Sequence, residues 1–254
     1  MARSTFQSSA ELVTVLIALR NDRQGLAKTL ASLVDQPNAD AFRILIIDCN
    51  SLDFPIDVVR EYEQRMIIDF YVGHDRGIYH SWNRGLRLVN TRWVTFFGAG
   101  DLFVPNAATL LVEAAKCGAA ADVISSKSEN IYPRGHREVR GDPFNARSFT
   151  RFFTINHSGT LYRTSLFAEY GNFDENYRSS GDYDFLMRIR NRASFGFIDA
   201  VISQYIVGGI SSSSLRPIKE SYRVRERHRA VLPYQNKLLF LRSAMAFYRM
   251  RFFR

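Results

Sequence analysis

Four apolar runs, each closing on a turn that carries an aspartate, constrain this chain more than any other feature. Residues 12–19 lead into Arg20-Asn21-Asp22, and residues 42–48 end on Asp48 before Cys49-Asn50. Residues 66–73 are followed by His74-Asp75, and residues 92–97 by Gly98-Ala99-Gly100-Asp101. The first two runs are almost unbroken by polar residues, as expected of strands covered on both faces. Helical spacing fills the gaps: 24–34 (Leu26, Leu30, Leu33), 57–65 after Pro55, 79–89 (Trp82, Leu86, Val89) and 105–117, with Pro105 near the first turn. This βαβαβαβ order predicts a parallel, right-handed, doubly wound sheet with its ligand site past the strand carboxyl ends. One aspartate in a loop is ordinary turn chemistry. Four on the same edge predict a crevice lined with carboxylates.

The chain beyond residue 120 is less regular. Residues 121–125 predict a fifth strand, 131–147 a loop or hairpin rich in Gly, Pro and Arg, and 160–162 a short apolar piece. Residues 182–191 predict a helix and 194–207 one or two strands. Gly181-Asp182-Tyr183-Asp184 opens that helix, where the dipole keeps a carboxylate ionised. One acid to hold a metal and one to take a proton are the minimum for metal-assisted group transfer. Neither a Gly-x-Gly-x-x-Gly after the first strand nor a Gly-x-x-x-x-Gly-Lys-Ser/Thr occurs, which argues against dehydrogenases and P-loop enzymes.

The chain has 254 residues, 46% of them hydrophobic, enough for one large domain with or without a tail. Cys49 and Cys117 are too few for a disulfide framework and are expected as reduced, cytosolic thiols, Cys49 as an inert packed one. The N-terminus lacks a secretory apolar segment, and no stretch reaches eighteen uninterrupted apolar residues. The charge is lopsided. From 215 to 254 there are eleven Lys and Arg against Glu220 and Glu226, which accounts for the whole net charge of +9. The basic character belongs to the tail.

In their order, these segments resemble a family 2 inverting glycosyltransferase of the GT-A fold, of the kind that assembles bacterial surface polysaccharides. The resemblance runs from about residue 12 to about 214. The first strand with Arg20-Asn21-Asp22 is similar to the family's first nucleotide loop. Asp48-Cys49-Asn50-Ser51-Leu52-Asp53 resembles its Asp-Gly-x-Ser-x-Asp segment, with Cys49 where Gly is usual. The strongest match is 74–85, His-Asp-Arg-Gly-Ile-Tyr-His-Ser-Trp-Asn-Arg-Gly. The resemblance implies donor contacts for Asn21, Asp48, Asp75, Asn83, Arg84 and Gly100. It implies a diphosphate- or acceptor-facing place for His157, which sits in Asn156-His157-Ser158 before Leu161-Tyr162-Arg163.

Gly98-Ala99-Gly100-Asp101 stands where the family has Asp-x-Asp, so Asp101 is the one acid left to hold Mn²⁺ or Mg²⁺. Gly171-Asn172-Phe173-Asp174-Glu175 followed by Gly181-Asp182-Tyr183-Asp184 resembles the pair that carries the catalytic base. The resemblance therefore implies Asp182 as the candidate base, with Asp184 the weaker candidate. Gly208-Gly209-Ile210-Ser211 resembles a loop near the site. Together these imply transfer of a sugar, with inversion, from a nucleotide-sugar to a saccharide or lipid-linked acceptor. The expected divisions are 1–120 for the donor, 121–214 for the acceptor and 215–254 as a basic extension.

Plainer readings stand beside these. Trp82 and Trp93 read as core, Asp174 as a turn cap, and His157 equally as an ordinary half-buried histidine. The thinned acidic motif also fits an inactive sugar-nucleotide-binding module, and the basic charge a nucleic-acid or partner-binding protein. Nucleic-acid binding has no supporting motif and is not expected. Residues 237–254 mix large apolar side chains with five cations and no acid, which suits a helix lying in an anionic membrane surface. The alternative is a helix packed on the domain or on another subunit. The expected location is the inner face of the cell membrane.

Overall fold

The computed structural model describes residues 12–118, 120–132, 135–207 and 214–252, with side chains through 249. The first half alternates strand and helix as expected: β1 (Val13–Leu19), α1 (Arg23–Val34), β2 (Phe42–Asp48), α2 (Ile56–Tyr62), β3 (Ile67–Val72), α3 (Ile78–Leu86), β4 (Trp93–Gly98), β5 (Leu102–Phe103) and α4 (Ala107–Cys117). Then follow β6 (Val123–Ile131), β7 (Arg137–Arg140), α5 (Ala146–Phe149), β8 (Leu161–Arg163), α6 (Ser165–Tyr170), α7 (Gly181–Ile189), β9 (Phe195–Ile206), α8 (Arg216–Arg227) and α9 (Pro233–Phe252).

Among the described residues all nine strands share one sheet in the order β3-β2-β1-β4-β8-β6-β9-β5, with β7 hairpinned onto β6. Strands β3, β2, β1 and β4 are parallel, with Leu16 opposite both Leu45 and Phe96. The four aspartate-bearing turns therefore leave the same edge. Strand β8 runs antiparallel between β4 and β6, and β5 runs antiparallel to β9.

Alternation explains why the first two strands read as continuous apolar runs. Val13, Val15 and Ile17 pack with Leu26 and Leu30 of α1 and Leu111 of α4 on one face. Leu16, Leu45 and Ile47 pack with Tyr79 and Trp82 of α3, Phe185 of α7 and Val224 of α8 on the other. Both tryptophans are buried, as expected of core residues.

Several boundaries differ from expectation: α2 ends at Tyr62, α3 at Leu86 and α7 at Ile189, each two to three residues early. The helix after β4 starts at Ala107, not at Pro105, because Asn106 caps it from the left-handed region (φ 67°). Strand β6 extends to Ile131, since its polar half is buried by pairing with β9 on one side and β7 on the other. Within 131–147, β7 pairs back on β6, and 194–207 holds one strand, with the register between β6 and β9 shifting around Lys127. The tail is two helices. Helix α8 is built into the second core through Val224, and α9 packs on α8 with Phe240 edge-on to Tyr222.

Candidate active site

Helix α3 ties the candidate residues together, because three of its side chains reach three different loops. Ser81 donates to Asp75 Oδ2, Tyr79 donates to Asp182 Oδ1 over 3.0 Å, and Trp82 packs on His157 with ring centroids 4.7 Å apart. The residue after His157, Ser158, donates to Asp101 Oδ2 at 2.5 Å. Cys49, which follows Asp48, donates to Asp75 and lies 3.0 Å from Ser81 Oγ. Asp48, Asp75, Asp101 and Asp182 thus belong to one connected set of contacts at the carboxyl edge of the sheet.

Asp182 is 8% exposed. Its Oδ1 accepts from the Tyr79 hydroxyl and from the Tyr183 backbone N–H at 2.9 Å. Among the described residues nothing hydrogen-bonds its Oδ2. Burial raises the carboxyl pKa to about 6, against the pull of hydrogen bonds from Tyr183, Tyr79 and its own backbone N–H. Tyr79 stays protonated, since burial and the neighbouring Asp182 charge push its phenol well above its usual value. The arrangement is a carboxylate with one oxygen held and one open, ionised at neutral pH yet basic enough to accept a proton.

Asp184, two residues on, is fully buried and committed to side chains of α7 and α8. His228 Nε2 is 2.9 Å from its Oδ1, Arg227 Nη1 is 3.6 Å from the same atom, and Arg188 Nη2 is 3.3 Å from Oδ2. These contacts bind α7 to α8.

Asp101 ends the turn after β4, with Oδ2 accepting from the Gly98 N–H at 3.0 Å and from Ser158. Burial raises its carboxyl to about 6 as well. Gly100 beside it adopts φ 94°, and its N–H donates to Thr29 Oγ1 at 3.0 Å. A side chain there would be strained by the backbone and would meet Asp22 Oδ2 at 3.5 Å. Among the described residues no three His, Cys, Asp or Glu side chains form a self-sufficient metal cluster. Asp101 Oδ1 carries no hydrogen bond among them, so this carboxylate fits a hard cation whose other oxygens come from a diphosphate and water.

Asp48 is fully buried. Its oxygens accept from the Ser51 N–H (3.0 Å) and hydroxyl (2.5 Å), while Ser51 Oγ accepts from the Asn21 N–H at 2.8 Å. Asn21 Oδ1 in turn accepts from Leu52 N. The first two loops are therefore laced together, with Asn21 and Asn50 both at positive φ. Asp75 is half-buried. Burial pushes its carboxyl up, but hydrogen bonds from Cys49, Ser81 and Gly77 outweigh that and hold it below the ordinary range. Burial and the Asp75 hydrogen bond drive the Cys49 thiol up to about 12, so it is a fixed donor. The expected inert cysteine has a structural partner.

Asn83 spends its amide on the loop before α7. It donates to Phe173 O (2.9 Å) and Glu175 Oε1 (3.0 Å) and accepts from Phe173 N (3.0 Å). Arg84 folds over Gly73 and donates to Val72 O at 3.3 Å, at the end of β3. His157 lies 3.0 Å from the Tyr162 hydroxyl through Nδ1 and stacks on Phe96. Burial depresses its pKa to about 3, so it is neutral. Its Nε2 and the Trp82 Nε1 are buried without partners among the described residues. Asp174 accepts from Asn176 N, as a turn cap would, and also pairs with Arg227.

Tyr79, Ser81, Ser158, Glu220 and His228 escape sequence reasoning. Tyr79 and Ser81 lie inside the strongest motif, and Ser158 beside His157, so proximity to a motif was their signal. Glu220 and His228 lie in the basic tail, where no signal existed. The Gly208-Gly209-Ile210-Ser211 segment lies outside the described residues.

A family model described as glycosyl transferase family 2 matches residues 14–173, more than half of the chain. A PGL/p-HBAD biosynthesis glycosyltransferase of Mycobacterium bovis (strain BCG / Pasteur 1173P2) is 26% identical over 214 residues, 81% of each chain. Validoxylamine A glucosyltransferase of Streptomyces hygroscopicus subsp. jinggangensis is 31% identical over 136 residues, 52% of this chain and 32% of that protein. Among solved structures, S. aureus TarS 1–349 in complex with UDP-GlcNAc superposes with a TM-score of 0.70 at 19% identity, covering 90% of this chain and 70% of that one. The mannosyltransferase PcManGT from Pyrobaculum calidifontis, in complex with GDP-Man and Mn²⁺, gives 0.67 at 15% identity over 95% and 73%. The mixed α/β architecture with its mostly parallel sheet is that of these GT-A enzymes. With the carboxylates gathered at the sheet edge and the family match in agreement, the chain belongs to glycosyl transferase family 2 and is a glycosyltransferase.

Proposed function

We propose that this enzyme moves a sugar from a nucleotide-sugar to an acceptor hydroxyl with inversion, and that Asp182 is the general base. The observation that carries this reading is the half-tethered carboxylate: Oδ1 held by Tyr79 and Tyr183, Oδ2 open, pKa about 6. In a single displacement Asp182 Oδ2 takes the acceptor proton as the acceptor oxygen bonds the anomeric carbon. The bond to the nucleoside diphosphate breaks on the opposite face, and the electron pair leaves with the diphosphate. Asp48, Asn21 and Gly100 shape the nucleotide side, and Asp75 is kept ionised by Cys49, Ser81 and Gly77. Asn83 acts by fixing the 173–175 loop, and Arg84 by bracing the end of β3. His157, neutral and aromatic-packed, carries Ser158 to Asp101. Asp101 is the residue to hold Mn²⁺ or Mg²⁺, which when bound offsets the charge of the departing diphosphate.

The acceptor in this reading is a saccharide, on a lipid carrier, in the assembly of a bacterial exopolysaccharide, capsule or O-antigen. The name of the M. bovis relative, a biosynthesis glycosyltransferase, is in keeping with that role. Helix α9 supports a place at the inner membrane face. Its inner face packs on α8, while Leu238, Leu241, Met245 and Tyr248 form an exposed stripe flanked by Lys237, Arg242 and Arg249. Each cation near an anionic surface contributes ~1 kcal/mol of binding. Among the described residues no helix is long and apolar enough to cross a membrane.

A thermal-shift screen of nucleotide-sugars with and without Mn²⁺ tests the donor half. A true donor at a hundredfold excess over Kd stabilises the fold by ~2.7 kcal/mol. A screen in which no nucleotide-sugar shifts the transition sinks the reading. Vesicle sedimentation tests the membrane half, with anionic vesicles expected to bind the full chain and not one lacking 237–254.

A further inference from the structure

Helix α8 reaches back from the tail to the loop that delivers Asp182. Glu220, 5% exposed, accepts from the Arg178 N–H at 3.0 Å, the Ser179 N–H at 2.8 Å and the Ser179 hydroxyl at 3.1 Å. One turn earlier, the Pro217 carbonyl accepts from Ser180 Oγ at 3.4 Å. At the far end of α8, Arg227 and His228 meet Asp184 of α7. The base therefore sits between two points at which α8 grips its surroundings. Family resemblance assigns nothing to this helix, which lies beyond the matched residues 14–173.

Glu220 is held by neutral donors alone and has no ion pair among the described residues. These N–H and hydroxyl donors are the partners a buried carboxyl group needs. Three titratable groups act on Asp182 from the elements around it: Tyr79 of α3, Tyr162 of β8 and Glu220 of α8. Burial keeps both phenols protonated at neutral pH, so neither adds a charge beside Asp182. On its own helix Glu220 shares a face with Arg216, Lys219 and Arg223, which line a cavity of about 370 Å³ with it. Arg178, whose backbone it binds, turns its guanidinium over Gly77.

We propose that Glu220 is a positioning residue for the general base, fixing residues 178–180, the segment that leads into α7 and Asp182. This rests on Asp182 being the base. Burial is what raises the Asp182 carboxyl. Releasing that segment admits water and should therefore make Asp182 a weaker base.

The test needs no donor or acceptor. With ¹³C-labelled aspartate carboxyls, the resonance missing from Asp182→Asn identifies Asp182 in an NMR pH titration. In Glu220→Gln, which trades one acceptor oxygen for a donor, we expect its midpoint to fall by roughly half a unit or more below that of the wild-type chain. An unmoved or raised midpoint overturns the proposal. Glu220→Asp keeps the carboxyl but shortens the reach. Its midpoint should fall as well, while amide exchange at Ser179 quickens by roughly tenfold. An unmoved midpoint or unchanged exchange in that variant overturns the proposal too, and it decides alone if the Gln variant fails to fold. Normal sugar transfer by Asp182→Asn would refute the base assignment whatever the titration gives. An inactive Asp182→Asn with an unmoved midpoint in Glu220→Gln would refute only the role of Glu220.

Discussion

The Tyr79 hydroxyl donates to Asp182 Oδ1 across 3.0 Å, joining residues 103 positions apart. The bond stabilises the ionised carboxylate and partly offsets its burial. Tyr79→Phe removes it without opening a large cavity. A hydrogen bond to a charged group is worth about 1.5–3 kcal/mol, which corresponds to about one to two pH units. The acid limb of the kcat/KM profile should move up from near pH 6 by that amount. A profile that stays in place would detach Tyr79 from the base.

Asp182→Asn should lower kcat by ~10²–10⁴-fold, the usual contribution of a general base. Donor affinity, read by titration calorimetry, should stay within a few-fold.

The same substitution has a stability signature of defined sign. Burial has raised the folded pKa of Asp182 to about 6. Stability from this group is complete below the unfolded pKa and is lost as pH rises through about 6. Asparagine cannot ionise, so Asp182→Asn should unfold at higher urea than wild type at pH 8, by up to about 3 kcal/mol. Near pH 3.5 the two should coincide. A deficit at pH 8 would mean that the ionised carboxylate is not a cost to the fold.

Asp184→Asn should behave in the opposite way. Its carboxylate is fully buried and pairs with His228, with Arg227 and Arg188 close by. Breaking a buried pair costs about 3–5 kcal/mol, and the exposure of Arg227 places this case toward the lower end. Denaturant melts should report that loss, while the folded fraction keeps its kcat within a few-fold.

Ser158→Ala strips Asp101 of its hydroxyl donor and should raise that carboxyl above about 6. If Asp101 holds the cation, half-saturation by Mn²⁺ should rise by about tenfold at pH 6.5. An unchanged Mn²⁺ response would place the cation elsewhere.

Cys49 and Cys117 should separate cleanly on alkylation. Cys117 is exposed, whereas the Cys49 thiol is pushed up to about 12. At pH 8 its thiolate fraction is on the order of one in ten thousand. Mass spectrometry after brief iodoacetamide treatment should find Cys117 modified and Cys49 intact.

The parallel core was legible in the residue order. Unbroken apolar runs closing on Asp48 and Asp101 can be satisfied only by strands covered on both faces, and parallel pairing then carries their turns to one edge. What local pattern could not give was the partner of each acid. Asp182 and Asp184 are equivalent as letters at the start of a helix. They diverge because α3 brings a phenol to the first, while α8 brings His228 and Arg227 to the second. Asn83 and Cys49 likewise acquire their tasks from contacts 90 and 26 residues away. The chain's own order determined the sheet, its helices and the edge where the chemistry gathers, because periodicity and turn residues act over a few positions. Only the tertiary structure decided which carboxylate is free to take a proton, because burial and hydrogen-bond partners are set by segments far apart in the chain.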